Sequence, residues 1–372
     1  MITSKLAVFH AAGRPLTLES APVPPLQTGE ILVQTEYTTL CRSDLNTFSG
    51  KRTEPVPTIL GHEMVGRIAS LAPGAPALDC RGSALRVGDR VTWAIYAADP
   101  ASPLARLGLP QKAPGLFKYG HETIRPGSTL HGGLAEYCIL RRHTPVIRID
   151  VPVPLPLLAL INCSVATVAG SLRLAGPVAG RTVIIAGAGM LGVVACAMCR
   201  CAGAKTIIAL DIAADRLATA IQFGADHALH PSSGLATLPE QLASQCPGEP
   251  VAVALDYSGV PETMEALLGV LGIGGTAVFI GATFPQRALQ INAESLIRKV
   301  HTLKGLHNYN ESDFVAAVEF MEQNYTRFPF ATLVHDEFDL ASVNAAFAHA
   351  LNSPAYRVGV RIAGAAIPPP SL

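Results

Sequence analysis

The sequence has 372 residues, of which 49% are hydrophobic and 15% are charged, and its 28 basic and 28 acidic residues give a formal net charge of zero at pH 7. A chain of this length and apolar content can build two or three large buried cores and is not of the disordered type. The balanced charge provides no basic excess for binding nucleic acid or an anionic membrane surface.

The N-terminal residues MITSKLAVFHAAGRPL contain no apolar core behind a basic start and are unlike a signal peptide. The longest apolar stretch, residues 151–161, is interrupted by three prolines and is too short to span a membrane. We therefore expect a cytoplasmic protein. Its eight cysteines are then expected to be buried thiols, metal ligands or nucleophiles, and not disulfides.

Residues 1 to about 150 are rich in proline and glycine, and short β-like runs alternate with turns. These runs are residues 30–36, 64–69, 89–93 and 134–140. Such spacing predicts an irregular, mostly β domain.

The pattern changes after about Cys163. Continuous apolar strands alternate with helical segments, which indicates a parallel α/β sheet. The strands are residues 181–186, 206–211, 251–256 and 276–281. After about Leu306 the mixed pattern returns, with helical residues 314–321 and 343–350 and a β-like run at 357–362.

A glycine-rich motif of the GxGxxG type follows the first of these strands and opens a helix, which is the context of a dinucleotide-binding loop. Its glycines would permit the tight turn, the approach of the pyrophosphate and close helix packing, and the helix N-terminus would face the phosphates. Asp211 ends the next strand, where an acidic side chain binds ribose hydroxyls and repels a 2′-phosphate, so NAD is favoured over NADP. The predicted contacts from this region are Gly187, Gly189, Met190, Leu191, Gly192, Asp211 and Arg216.

Cys41, His62 and Cys163, with Glu63 beside the histidine, are the candidate metal ligands. Two thiolates and one imidazole match the open, three-ligand arrangement of a catalytic zinc, whereas a structural zinc takes four ligands. A further cysteine cluster at residues 196–201 has no second pair of ligands, so we interpret it as core thiols.

The motifs GHEMVG, GDRV, Cys163-x-x-x-Thr167 and GAGMLG occur in the order found in zinc-dependent medium-chain alcohol dehydrogenases. The chain resembles this family over nearly its whole length. The resemblance implies an α/β fold with a mostly-β partner, in which a doubly wound Rossmann domain is inserted into a GroES-like catalytic domain. The expected boundaries are 1–163 for the first part of the catalytic domain, 164–306 for the Rossmann domain and 307–372 for the return. A homodimer or homotetramer is implied as well.

The resemblance also assigns roles by matched position. Cys41, His62 and Cys163 would bind one catalytic zinc, which Glu63 could approach. Ser43 would take the proton of the alcohol, and Asp44 would orient His62. The remaining implied cofactor contacts are Thr167 at the nicotinamide and Arg42 and Arg357 at the pyrophosphate of NAD.

Three departures from the family pattern matter. The four cysteines that bind a structural zinc in many relatives are replaced, so no structural zinc is expected; the aligned residues are Asp99, Ser102, Ala105 and Ala113. Asn46 stands in the position of a proton-relaying histidine, so the proton would leave through water or a cofactor hydroxyl. Val168 replaces the glycine that usually follows Thr167.

The implied reaction is hydride transfer between NAD and a small alcohol or its carbonyl product. Residues 108–112, 118–121, 132–137 and 162–168 resemble a subgroup associated with phosphonate metabolism, which implies a hydroxyalkyl or oxoalkyl phosphonate. An anionic substrate needs nearby cations, for which the candidates are Lys51, Arg52, Lys118 and His121.

Three alternatives remain open at this point. One is a dehydrogenase for a neutral polyol or secondary alcohol. The others are a zinc-free reductase of the same superfamily and a non-catalytic NAD-binding protein. The retained zinc ligands and Ser43 disfavour these last two.

Overall fold

A computed structural model describes residues 2–231, 234–283 and 285–362. The composition of the C-terminal sequence AGAAIPPPSL predicts a frayed end, and all of this sequence from residue 363 onward lies outside the described residues. The described chain forms two compact units. The first comprises residues up to 163 together with 310–325 and 330–362, and the second comprises 164–309 and 326–329. The return to the first unit begins at Asn310, and Leu306 still belongs to the second unit, where its amide donates to the Phe279 carbonyl at 3.0 Å.

The first unit is mostly β-structure. Its strands are β1 (Thr3–Val8), β2 (Thr17–Pro22), β3 (Ile31–Thr39), β4 (Glu63–Leu71), β5 (Arg90–Trp93), β6 (Tyr96–Ala97), β7 (Phe117–Lys118), β8 (Tyr137–Leu140), β9 (Val146–Arg148), β16 (Val334–Asp339) and β17 (Arg357–Arg361). Its helices are α1 (Arg42–Phe48), α2 (Pro103–Arg106), α3 (Leu155–Ala159), α10 (Glu311–Asn324) and α11 (Val343–Asn352), with 3₁₀ turns at Pro110–Lys112, Phe330–Leu333 and Leu340–Ser342.

The main sheet of the first unit has the strand order β16-β17-β3-β4-β5-β9, and β8 also pairs with β3. The long central strand β3 is buried along almost its whole length, because it pairs with strands on both sides, although only its first residues, Ile31 to Val33, are uniformly apolar. Strand β17 pairs antiparallel with β3, with Gly359 opposite Thr39. The C-terminal return therefore places Arg357 near the start of β4.

The second unit is an α/β domain with a six-stranded sheet in the order β12-β11-β10-β13-β14-β15, in which every pairing is parallel. Its strands are β10 (Thr182–Ala186), β11 (Thr206–Leu210), β12 (His227–Leu229), β13 (Val251–Asp256), β14 (Leu271–Phe279) and β15 (Thr302–Gly305). Its helices are α4 (Ala166–Ala175), α5 (Met190–Cys201), α6 (Ala214–Gln222), α7 (Leu238–Gln245), α8 (Pro261–Val270) and α9 (Ala293–Arg298), with a 3₁₀ turn at Leu235–Thr237. This 3-2-1-4-5-6 order is that of the Rossmann fold.

The glycine-rich turn between β10 and α5 is built as the motif predicts. Gly187 has φ 88°, a conformation that favours glycine. A Cβ on Gly192 would overlap the carbonyl oxygen of Gly187, so α5 can pack against the turn only with glycine there. This topology confirms the predicted doubly wound parallel sheet beside a mostly-β unit.

Helices α3 and α4 are joined by a π-helical turn, Ile161–Val165, and together run from Leu155 to Ala175. This helical run is long and apolar enough to cross a membrane by length and composition, but 72% of its most apolar window is buried within the protein, as in a core helix. The π turn carries Cys163, one of the candidate metal ligands.

Candidate metal centre

The three candidate ligands belong to the first unit and come from three separate elements. Cys41 is the N-cap of α1, His62 directly precedes β4, and Cys163 lies in the π turn. Their ligand atoms all lie within 4.8 Å of one another. Cys41 and His62 are buried and Cys163 is partly exposed. Two thiols and an imidazole within reach of one ion fit the three-ligand donor set of a catalytic zinc.

Asp44 fixes the orientation of the histidine. Its Oδ1 lies 3.2 Å from His62 Nδ1 and accepts from the Gly61 amide at 3.2 Å, while its Oδ2 accepts from the Cys41 amide at 3.0 Å. With Nδ1 bound to a carboxylate, Nε2 is the atom available to a metal. The Ser43 hydroxyl lies 3.3 Å from that Nε2, next to the candidate ligand atoms.

The protonation preferences of the ligands are strongly coupled. The hydrogen bond from Cys163 lowers the pKa of Cys41 well below its usual value, despite burial. The same hydrogen bond, together with burial, raises the pKa of Cys163. Burial alone would lower the pKa of His62, but Asp44 and Cys41 outweigh it and raise the pKa to about 10. The centre thus holds one thiolate readily, and zinc would displace the remaining protons.

Glu63 and Arg357 form a buried ion pair next to the ligands. The guanidinium donates to both carboxylate oxygens of Glu63, at 2.6 and 2.8 Å, and Thr39 donates to the same carboxylate at 2.6 Å. Arg357 Nη2 also lies 3.4 Å from the Cys41 sulfur. The sequence assigned Glu63 to the metal and Arg357 to the cofactor, and both roles stay predictions. Their pairing across 294 residues of sequence was not foreseen.

A second polar cluster lies beside His62. Glu54 accepts from Arg52 at 2.6 Å and pairs with His121 Nδ1 at 2.9 Å, and the rings of His121 and His62 are 5.2 Å apart. Burial, and then the neighbouring Lys118, hold the pKa of His121 well below its usual value. Burial followed by Arg52 lowers the pKa of Lys118. Three of the four candidate residues therefore belong to this cluster, in which Glu54 bonds Arg52 and His121 and lies within electrostatic range of Lys118; the sequence does not single out Glu54.

The fourth candidate, Lys51, is exposed. In the lobe that carries a structural zinc in many relatives, Asp99 accepts from the Ala101 amide at 2.9 Å, and Ser102 caps α2 by accepting from the Ala105 amide at 3.3 Å. These side chains thus serve a turn and a helix cap.

The cofactor loop lies in the second unit. Asp211 accepts from the Ala188 amide within the glycine-rich turn at 2.6 Å and from the Ala213 amide at 2.9 Å. Arg216 lies over the same turn, since its Nη1 would be 3.2 Å from a Cβ on Gly189. The structure therefore brings together the glycine motif, the acidic residue and the arginine that the sequence assigned to the cofactor.

Met190 and Leu191 begin α5, behind this turn. Thr167 is partly buried on α4, and Arg42 is exposed on the first turn of α1. The cofactor contacts assigned to these four residues stay predictions. Cys196 and Cys199 are buried in α5, consistent with core thiols.

Comparisons with known proteins agree with this architecture. The alcohol dehydrogenase GroES-like domain matches residues 27–151, and the zinc-binding dehydrogenase domain matches residues 191–323. Alcohol dehydrogenase 1 of Solanum tuberosum is 28% identical over 362 residues, which cover 93% of this chain and 94% of that protein. The NDMA-dependent alcohol dehydrogenase of Amycolatopsis methanolica is 28% identical over 301 residues, covering 76% of this chain and 78% of that protein.

Solved structures show the same fold. The alcohol dehydrogenase of Thermotoga maritima superposes with a TM-score of 0.90 at 25% identity, covering 97% of this chain and all of that one. Benzyl alcohol dehydrogenase of Acinetobacter calcoaceticus has a TM-score of 0.84 at 24% identity, covering 98% of this chain and all of that one, which supports the fold alone.

Proposed function

Because the chain belongs to the zinc-dependent medium-chain alcohol dehydrogenase family, we propose that it transfers a hydride between a small alcohol, or its carbonyl product, and NAD. The chain is an oxidoreductase of the alcohol dehydrogenase type. The observation that carries the proposal is the convergence of Cys41, His62 and Cys163 within 4.8 Å, with one nitrogen of His62 already held by Asp44.

The residues of the centre have separable tasks. When bound, zinc would supply the Lewis acidity that makes an alcohol proton easier to remove, and NAD would supply the hydride acceptor. Ser43 stands beside His62 Nε2 and would accept the substrate proton at its hydroxyl oxygen. Asn46 cannot act as a base at neutral pH, so the proton would pass from Ser43 to water or to a cofactor hydroxyl.

Metal analysis of the purified protein is expected to find about one zinc per chain. Cys163→Ala removes one of three protein ligands and should lower both the zinc content and the activity well below wild type. Cys80→Ala changes a partly exposed thiol of the same unit outside the ligand set and should keep both. Two zinc ions per chain would contradict the assignment of the lobe, and a zinc-retaining, active Cys163→Ala variant would contradict the ligand set.

We propose NAD as the cofactor because Asp211 places a carboxylate against the glycine-rich turn. The fold alone does not decide between the two cofactors, since one solved structure of this fold is bound to NADP and another to NADH. Asp211→Ala should reduce the preference of kcat/KM for NAD over NADP by about tenfold or more, equivalent to ~1.4 kcal/mol. Asp215→Ala removes an exposed carboxylate nearby on α6 and should leave the preference unchanged. An unaltered preference in Asp211→Ala would mean that the ribose contact lies elsewhere.

For the substrate we propose a hydroxyalkyl or oxoalkyl phosphonate. The support is the cluster beside the metal centre, where Arg52 and Lys118 provide positive charge next to His121. One observation favours a neutral polyol or secondary alcohol instead, because Glu54 already pairs with Arg52 at 2.6 Å and offsets its charge. The two substrate classes thus differ in whether excess positive charge remains for an anion.

The deciding experiment compares kcat/KM for a 2-hydroxyalkylphosphonate with that for the uncharged alcohol of the same carbon skeleton. A ratio of about a hundred or more, ~2.7 kcal/mol of transition-state discrimination, is expected for an anion site. Lys118→Met keeps most of the side-chain bulk, removes the charge and should reduce this ratio, whereas Lys51→Met, at an exposed position, should not. A ratio near one with turnover of the neutral alcohol would support the polyol or secondary-alcohol alternative.

We also propose that the enzyme works in the cytoplasm as a homodimer or as a homotetramer built from such dimers. Strand β15 forms one edge of the six-stranded sheet, and Ile273, Ile297 and Val300 next to it are 83%, 73% and 68% exposed. Exposed apolar side chains near an unpaired strand edge favour pairing with a second copy. Sedimentation should show an assembly of two or four chains that Ile273→Lys dissociates, and a monomeric wild type would contradict the proposal.

A further inference from the structure

Asn162 is a fully buried amide one residue before the ligand Cys163. Its Nδ2 donates to the carbonyl oxygens of His62 at 3.0 Å and Trp93 at 2.9 Å, and its Oδ1 accepts from the Met64 amide at 3.2 Å. The side chain is thus engaged on both of its ends with backbone about 70 to 100 residues away in sequence.

These contacts join the ligand-bearing segments. Asp44 connects the segment of Cys41 with that of His62, through the Cys41 amide and the His62 ring. Asn162 connects the segment of His62 with that of Cys163, because it binds the carbonyl of His62 itself and the amide two residues further along. The side chains of Asp44 and Asn162 therefore connect the three segments that carry the candidate ligands, the first to the second and the second to the third.

The chemistry of the site requires an amide. Two carbonyl oxygens need donors and one backbone N–H needs an acceptor, and an asparagine side chain supplies both over a short reach. An ionised aspartate would present only acceptors to the carbonyls, and a serine or threonine hydroxyl has a single donor. Any side chain without these groups would leave buried backbone atoms unsatisfied.

The backbone conformation around Asn162 links its hydrogen bonds to the position of Cys163. Residues 161–165 form a π turn within an otherwise α-helical run, and such turns often occur at functional sites. The direction in which Cys163 points is set by this turn, and the hydrogen bonds of Asn162 hold the turn against β4 and the end of β5.

We propose that Asn162 is a positioning residue of the metal centre, which holds Cys163 at coordinating distance from His62 and thereby controls how tightly and in what geometry zinc is retained. The inference rests on the proposed zinc function. Outer partners of metal ligands typically change metal affinity by 10- to 100-fold when they are replaced.

The test uses the purified full-length protein loaded with zinc or with cobalt(II). Asn162→Ala is expected to release zinc to a chromophoric chelator about 10 to 100 times faster than wild type. In the cobalt form it should show weaker thiolate-to-metal charge-transfer absorption and a changed d–d band, because one thiolate is no longer held in place. Asn162→Ser keeps one donor, so its zinc-release rate and cobalt spectrum should lie between those of wild type and Asn162→Ala. It replaces the alanine variant in the test if that variant does not fold.

Asn324→Ala is the matched control, since it removes a buried amide of the same unit that donates to the Phe320 carbonyl. It should lower the melting temperature while leaving zinc release and the cobalt spectrum as in wild type. Wild-type release and spectrum in the folded Asn162 variants would overturn the inference, as would equally fast release from Asn324→Ala. A wild-type protein that binds neither metal would instead overturn the zinc proposal on which the inference rests.

Discussion

The carboxylate of Asp44 is the group on which the arrangement of the metal centre depends. It is almost wholly buried, and its oxygens meet the Cys41 and Gly61 amides and the ring of His62. The same side chain therefore begins helix α1, fixes the turn before β4 and selects the nitrogen that His62 offers. The turn itself requires glycine, because Gly61 has φ 91° and a Cβ there would lie 3.2 Å from the backbone of Gly133. Loss of Asp44 would leave a buried imidazole and two buried amides without their acceptor. Unsatisfied buried donors of this kind destabilise the folded protein.

Charge balance explains why a divalent cation suits this site. The centre contains two thiols and the carboxylates of Asp44 and Glu63, and the buried guanidinium of Arg357 contacts Glu63 and the Cys41 sulfur. Burying several negative charges against one positive charge is unfavourable, so the site without zinc keeps protons on Cys163 and His62, whose pKa values are raised. A zinc ion held by Cys41, His62 and Cys163 would supply two positive charges in place of these protons. The ion pair of Glu63 with Arg357 then keeps a compensating charge within 3.4 Å of the Cys41 sulfur.

Contacts between residues close in the sequence could be predicted, whereas contacts between residues distant in the sequence could not. The glycine-rich turn, the strand before it and Asp211 are close in the chain and have local signatures, and the structure places them together. The candidate zinc ligands are far apart in the sequence, so their residue types could suggest a metal site, and the family resemblance then assigned Cys41, His62 and Cys163 to one catalytic zinc. Neither route could foresee that Arg357 pairs with Glu63 or that Asn162 reaches back to His62, because such contacts exist only once strands distant in sequence have packed. The π turn at 161–165 has no sequence signature of its own, and its direction is fixed by those same contacts.

The cluster around Glu54 shows how the substrate could be linked to protonation. Burial raises the pKa of Glu54, while Arg52 and Lys118 oppose that effect. His121 has a strongly lowered pKa and is therefore neutral near pH 7, so the charge of Arg52 is offset by Glu54 and the additional positive charge belongs to Lys118. The pKa of Lys118 is itself lowered by burial and by Arg52. An anionic group bound beside it would raise that pKa and stabilise the charged ammonium, whereas a neutral alcohol would not. Anion recognition at this position would therefore weaken as the pH rises through the pKa of Lys118, and this dependence would be absent for an uncharged substrate.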